Sequence, residues 1–236
     1  MASDTQPTDT GAGVFAIVAA YNEADRIEAT LAALAGAFPG APLWVADDGS
    51  TDATAAIAEA AGARVVRSER MVGKGGAVTL AVRAALENVA DDGPWMAVLC
   101  DGDLGASAAR LKPLVDAVLA GDADMAVAEF SRRTGGGLGL AIGFARWAIR
   151  RCCGLELKAP ISGQRALRSG VLADVLPFAR GFGMEIGMTV DATRAGHRVV
   201  EIQLDLDHRA TGKTLAGFVH RGGQLLDFVR VYMARR

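Results

Sequence analysis

The chain has 236 residues, 51% of them hydrophobic, with 25 Lys+Arg against 27 Asp+Glu for a formal net charge of -2. That balance speaks against nucleic acid as the main partner, and the length and apolar content predict one large domain with a full core. The three cysteines (Cys100, Cys152, Cys153) neither frame a disulfide scaffold nor space like zinc ligands, so reduced thiols in a cytoplasmic setting are expected.

Residues 1–13 are polar and small, and read as a disordered tail without the basic start and apolar run of a signal peptide. No stretch reaches the roughly 18–20 uninterrupted apolar residues of a spanning helix. The nearest, Leu138–Ile149, is too short and contains Arg146. From Val14 the elements follow in order. Val14–Ala20 reads as a buried strand stopping at Tyr21–Asn22–Glu23, and Ile27, Leu31 and Leu34 recur at helical spacing. Leu43–Ala46 is a second strand, ending in Asp47–Asp48–Gly49–Ser50–Thr51–Asp52, with Ser50 or Thr51 placed to cap a helix over Ala53–Ala61. Arg64–Arg67 is a third strand. Met71–Val72–Gly73–Lys74–Gly75–Gly76 then opens a helix through about Val89.

The apolar run Ala97–Cys100 breaks at Asp101–Gly102–Asp103. A helix over about Ser107–Leu119 follows, in which Pro113 predicts a late start or a kink. Met125–Phe130 is a further strand. This alternation predicts an α/β, doubly wound, mostly parallel sheet with helices on both faces. The second half is less regular. Leu138–Cys153 reads as an amphipathic helix with Arg146, Arg150 and Arg151 on its polar side, docking on the core or on an anionic membrane face. Ile161–Ala166 reads as a polar turn, and Gly181–Ala195 as a helix. Val199–Leu206 alternates as an edge or antiparallel strand, and Leu215–Arg236 reads as a helix with a basic end.

In open α/β sheets, ligands sit beyond the carboxyl ends of the strands. Asp101 and Asp103 are hard oxygen donors at such an end, suited to Mg²⁺ or Mn²⁺, and Gly102 lets backbone approach a ligand closely. Lys74, among glycines at a helix start, suits an anion. Neither Gly73–Lys74 nor Gly212–Lys213–Thr214 belongs to a Walker A loop, because Ser68 and Asp207 stand where that loop needs glycine. Glu185 either favours its helix start through the dipole or faces a cleft. His208, beside Arg209 and Lys213, is either a structural histidine or a ligand.

Taken together and in this order, Ala19–Ala20–Tyr21–Asn22–Glu23, Asp47–Asp48–Gly49–Ser50–Thr51–Asp52, Gly73–Lys74–Gly75 and Asp101–Gly102–Asp103 resemble family 2 glycosyltransferases of the GT-A fold, over about Val14–Phe130. The second half is similar to two subgroups. Ser162–Gly163–Gln164–Arg165, Glu185 and Arg209–Lys213 have counterparts in polyprenyl-phosphate sugar synthases of the dolichyl-phosphate mannose synthase type. Phe182–Gly187 and His208–Arg209 have counterparts in glucosyl-3-phosphoglycerate synthases. The resemblance implies a single GT-A domain over 14–236, with a nucleotide-sugar half (14–130) and an acceptor half (131–236).

It also implies a UDP- or GDP-sugar donor contacted by Ala19, Tyr21, Glu23, Asp47, Asp48, Lys74, Asp101 and Gly102. Mg²⁺ or Mn²⁺ would sit on Asp101, Asp103 and His208. The acceptor would be phosphate-bearing, either a polyprenyl phosphate or a small phosphorylated molecule, and held by Arg165, Arg209 and Lys213, with Arg168 as a further candidate. Asp103, Glu185 and Arg165 would stand nearest the chemistry. The alternatives are transfer to a hydroxyl of a soluble small molecule, with Glu185 as base, and a non-catalytic nucleotide-sugar-binding protein. A nucleotidyltransferase would want a basic glycine-rich loop where Tyr21–Asn22–Glu23 is acidic. Homodimerisation and peripheral contact with the inner face of a membrane stay open.

Overall fold

A computed structural model of the chain describes residues 13–88, 94–131, 139–206 and 226–236. Its strands are β1 (Gly13–Ala20), β2 (Leu43–Asp47), β3 (Arg64–Arg67), β4 (Trp95–Asp101), β5 (Met125–Phe130), β6 (Arg165–Arg168) and β7 (Val199–Leu204). They form one sheet in the order β3-β2-β1-β4-β6-β5-β7. All pairings are parallel except those of β6, which runs antiparallel to both β4 and β5.

Successive side chains on a strand point to opposite faces, and the apolar runs of β1 and β4 fill both. Ala16 and Val18 pack with Ile27, Leu31 and Leu34 of α1 (Ile27–Ala37), Ala58 of α2 (Thr54–Ala60) and Leu114 and Val118 of α4 (Lys112–Leu119). Phe15 and Ile17 pack on the other face with α3 (Lys74–Leu86), α6 (Ser169–Val175) and α7 (Met184–Arg194). A third cluster joins Ala145 and Ile149 of α5 (Gly139–Cys153) to Ile186 and Val190 of α7 and Phe228 and Val231 of a last helix, α8 (226–235).

The mostly parallel, two-faced sheet is as expected. Pro113 falls in the first turn of α4, after a 3₁₀ stretch over Gly105–Leu111, which is the late start its missing N–H calls for. Helix α5 docks on the core through Ala145, Ala148 and Ile149. Strand β7 is an edge strand, but it is parallel to β5, not antiparallel. Two elements went unforeseen, α6 and β6. The polar turn expected over Ile161–Ala166 runs directly into β6, a four-residue strand with arginine at each end and no apolar run to announce it. Ser50 and Thr51 do not cap α2. Asp52 accepts the Thr54 N–H at 3.0 Å instead, and Ser50 Oγ accepts the N–H of Asn22.

Two features aim the sheet at a ligand. The strand order reverses between β1 and β4, which opens a crevice past their carboxyl ends. Because β6 is reversed, its first residue Arg165 lies beside Leu99 of β4 and Val127 of β5. The turn preceding β6 is thereby delivered to the same edge.

Candidate active site

At the end of β1, Asn22 takes a left-handed conformation (φ 55°), which asparagine tolerates well. Its loop is stitched to the one after β2: Asn22 N–H donates to Ser50 Oγ (2.9 Å), Thr51 N–H to Asn22 Oδ1 (2.8 Å) and Glu23 N–H to Thr54 Oγ1 (2.8 Å). The Tyr21 ring is left exposed at the rim.

Asp47 and Asp48 are both engaged by the loops around them. Asp47 is wholly buried, accepting the Ser50 N–H at 2.8 Å and facing Arg67 Nε at 3.4 Å. Asp48 is also buried, and accepts the N–H groups of Val72 (2.7 Å) and Gly73 (2.9 Å). Burial raises its pKa, the two N–H bonds pull against that rise, and the Asp47 charge adds to it. Both carboxylates hold the loops in shape, and the one at Asp48 fixes the turn from which α3 starts.

Helix α3 begins with Lys74, whose ammonium lies 2.6 Å from Asp101 Oδ1 and 2.7 Å from Glu185 Oε1. Burial acts to lower its pKa, but the charges and hydrogen bonds of Asp101 and Glu185 outweigh this and hold it above the ordinary lysine value. It is an ammonium ion at any working pH. Glu185 lies in the first turn of α7, where its charge complements the dipole, and its buried carboxylate meets Lys74. The second Asp101 oxygen accepts from Gln164 Nε2 at 2.7 Å, and Ser162 Oγ lies 3.1 Å from Gln164 Oε1. A side chain at Gly163 would strike Lys74 Nζ and come within 2.8–2.9 Å of both Asp101 oxygens.

The backbone between the two acids is also fixed. Gly102 N–H donates to the Ala19 carbonyl (2.9 Å), Thr30 Oγ1 donates to the Gly102 carbonyl (2.8 Å), and Arg26 donates to the Asp103 carbonyl (3.1 Å). Ala19 thus serves the site through its carbonyl. The sequence placed Gly163 and Gln164 in a matching motif without giving either a role, and did not single out Thr30. The signal for the first two was a glycine and an amide together in a polar turn.

Arg165 corrects an expectation. Its guanidinium is fully buried and donates to the Ser162 carbonyl (2.9 Å), Thr189 Oγ1 (2.9 Å) and the Pro160 carbonyl (3.4 Å), so it does not reach an acceptor. Burial lowers its pKa to about 10, against the pull of Glu185 and Glu201. It braces the turn that carries Gln164. Arg165→Met is therefore expected to lower stability by about 3–5 kcal/mol, as for a buried charged group whose partners lose their donors, and to leave acceptor KM unchanged. Urea unfolding and acceptor titration check both. Arg168 donates to the Val118 carbonyl at 2.6 Å, at the far end of β6 from this edge. His208, Arg209 and Lys213 lie outside the described residues.

Asp101 and Asp103 fit a divalent cation by donor chemistry: Mg²⁺ and Mn²⁺ take one or two carboxylates together with diphosphate oxygens. Among the described residues no group of three His, Cys, Asp or Glu side chains converges for such an ion, so a third protein ligand would come from elsewhere in the chain.

A doubly wound sheet with paired acids after β4 and a lysine-bridged carboxylate cluster at the switch point defines a sugar-transferring enzyme of the GT-A class. Residues 15–152 match the family described as "Glycosyl transferase family 2". The chain is 30% identical over 217 residues to an undecaprenyl-phosphate mannosyltransferase of Micrococcus luteus, covering 85% of this chain and 86% of that one. It is 32% identical over 215 residues to a glucosyl-3-phosphoglycerate synthase of Mycolicibacterium paratuberculosis, covering 80% of this chain but 62% of the relative's length. Among solved structures, the glucosyl-3-phosphoglycerate synthase of Mycobacterium tuberculosis in complex with phosphoglyceric acid superposes with a TM-score of 0.76 at 26% identity, covering 95% of this chain and 80% of that one. The same enzyme in complex with Mn²⁺, UDP-glucose and phosphoglyceric acid gives a TM-score of 0.72 at 27% identity, covering 94% and 80%. The chain belongs to glycosyltransferase family 2.

Proposed function

We propose that the chain transfers a sugar from a UDP- or GDP-sugar to a phosphate-bearing acceptor, on the cytoplasmic side of the cell. The observation that carries this reading is the Asp101–Lys74–Glu185 chain of charges at the carboxyl edge of β4, held by Gln164. Relatives with a phosphorylated acceptor in their names, one a polyprenyl phosphate and one a phosphoglycerate, support the acceptor class.

In this reading the exposed Tyr21 ring and Glu23 receive the nucleoside, while Gly102 and the acid pair face the diphosphate. Asp101 and Asp103 are the carboxylates assigned to the metal, with His208 as the expected further ligand. A bound Mg²⁺ or Mn²⁺ supplies positive charge against the departing diphosphate. Lys74 adds a second fixed cation there, and being already paired it needs no reorganisation as charge develops. An acceptor phosphate is anionic and attacks without a base. Glu185, held by Lys74, then orients the sugar instead of taking a proton. Arg209 and Lys213 are the proposed acceptor cations.

A thermal-shift panel of UDP- and GDP-sugars with and without Mn²⁺ tests this. A ligand at about a hundredfold over its Kd is expected to raise Tm by about 5–10 °C. Asp103→Ala is expected to lose the Mn²⁺-dependent part of the shift and about 10²–10³-fold in transfer, with its ligand-free melting unchanged. If no nucleotide sugar shifts Tm in the presence of Mn²⁺, the reading is wrong.

A further inference from the structure

Seven large hydrophobic residues are exposed among the described residues, and four of them lie on two neighbouring helices: Trp147 (50%) on α5, and Leu226 (59%), Val229 (38%) and Met233 (49%) on α8. The α8 residues are spaced 226, 229 and 233, which puts them on one outward stripe. The opposite side of the helix, Phe228 and Val231, is the side that packs on α5 and α7. Tyr232 joins the two helices at the surface, with its ring centroid 4.7 Å from that of Trp147 and 6.3 Å from that of Phe144. The result is a continuous apolar and aromatic strip across α5 and α8.

Its surroundings are basic. Residues 139–153 and 226–236 together hold six arginines and a single acid, Asp227; Arg230 pairs with that acid, Arg150 with Glu156 and Arg235 with Asp191, so the six arginines still outnumber the three acids that meet them. Arg151 stands one turn beyond Trp147. On the other flank of the stripe, a cleft of about 320 Å³ is lined by Arg180, Arg230 and Arg235, together with Asp227. Aromatic rings and apolar side chains ringed by arginine suit the boundary between headgroups and acyl chains of an anionic bilayer. A second copy of the chain suits the strip less well, because a twofold contact would set each arginine cluster against its own copy. No helix among the described residues is long and apolar enough to cross a membrane, so any such contact is peripheral.

We infer that the Trp147–Tyr232–Met233 strip, with its flanking arginines, is a docking surface for anionic lipid. The strip is tied to the reaction site. Asp227 of α8 accepts the Phe182 N–H at 3.2 Å, three residues before Glu185, and a side chain at Gly181 would collide with the Asp227 carboxylate. Docking through α8 therefore holds the start of α7 near the lipid surface. This deepens the proposed function only in the source of the acceptor, which would then be a phosphate carried by a membrane lipid.

The test is flotation of the full chain with extruded vesicles, without donor or metal. Vesicles of phosphatidylcholine alone are compared with vesicles containing about one-third phosphatidylglycerol. Binding is expected only to the anionic vesicles, and it should weaken as salt is raised. Trp147→Ser/Met233→Ser and Arg151→Gln/Arg236→Gln are each expected to weaken it about tenfold, while melting unchanged, since these side chains are exposed. Absence of lipid-dependent flotation, or flotation of both variants equal to that of the unaltered chain, overturns the inference. So does a dimer in light scattering that Trp147→Ser/Met233→Ser dissociates, which would give the strip to a second copy. Transfer to a soluble phosphorylated acceptor, measured without vesicles, is unaffected by either variant, so failure here leaves the proposed chemistry standing.

Discussion

Replacing Gly163 with alanine is expected to slow sugar transfer by about 10²-fold, the usual cost of moving a positioned group by about an ångström, while the protein still folds. The added methyl would occupy space now filled by Lys74 Nζ and would crowd both oxygens of Asp101. These atoms are the ends of side chains, so they swing aside and the backbone stays in place. The movement separates Lys74 from Asp101 and turns Asp101 away from Gln164. The check is kcat against Tm for the variant: a normal kcat would show that the acid cluster tolerates displacement and is not the centre of the reaction.

Lys74→Met carries the second large effect, on stability as well as on rate. The ammonium sits between Asp101 and Glu185, and the Glu185 side chain is only 5% exposed. Removing one partner of a buried ion pair leaves the other charged and poorly solvated, at a typical cost of about 3–5 kcal/mol. Transfer is expected to fall by about 10²–10³-fold as a cation facing the diphosphate is lost. Glu185→Gln in the same chain should recover part of the stability but none of the rate. Urea unfolding of the two single variants and the double variant gives the coupling directly. Additive losses would mean that Lys74 and Glu185 do not depend on each other.

The first half of the chain was readable because each strand is an apolar run that ends on a chemically distinctive turn. Val14–Ala20, Leu43–Ala46 and Ala97–Cys100 needed only burial and periodicity, and the acids after them announced the ligand edge. The roles of those acids were less readable. Asp47 and Asp48 are the same residue type side by side after a strand, and only the tertiary arrangement shows that one faces Arg67 while the other holds the Val72–Gly73 turn. Arg165 misleads for a related reason. An arginine in a polar turn suggests an anion contact, yet its partners are two backbone carbonyls, the Met125 sulfur and a threonine 24 residues away on a different helix. Strand β6 could not be read from periodicity, because four residues ending in two arginines carry no apolar pattern.

The reversed strand also orders the assembly of the molecule. Strands β3, β2, β1 and β4 lie side by side within residues 13–101 and pair with one another without anything later in the chain, only the outer edge of β4 awaiting β6. Strand β5 follows β4 in sequence but never pairs with it; its two neighbours are β6 and β7. The nucleotide half therefore holds the pairings among its own four strands, the β1–β4 contact being the one of longest reach in sequence. The far half of the sheet waits until the chain has turned back at Gln164 and laid β6 down as the hinge pin between them. The turn that grips Asp101 is also the joint through which the two halves of the sheet become one cooperative unit.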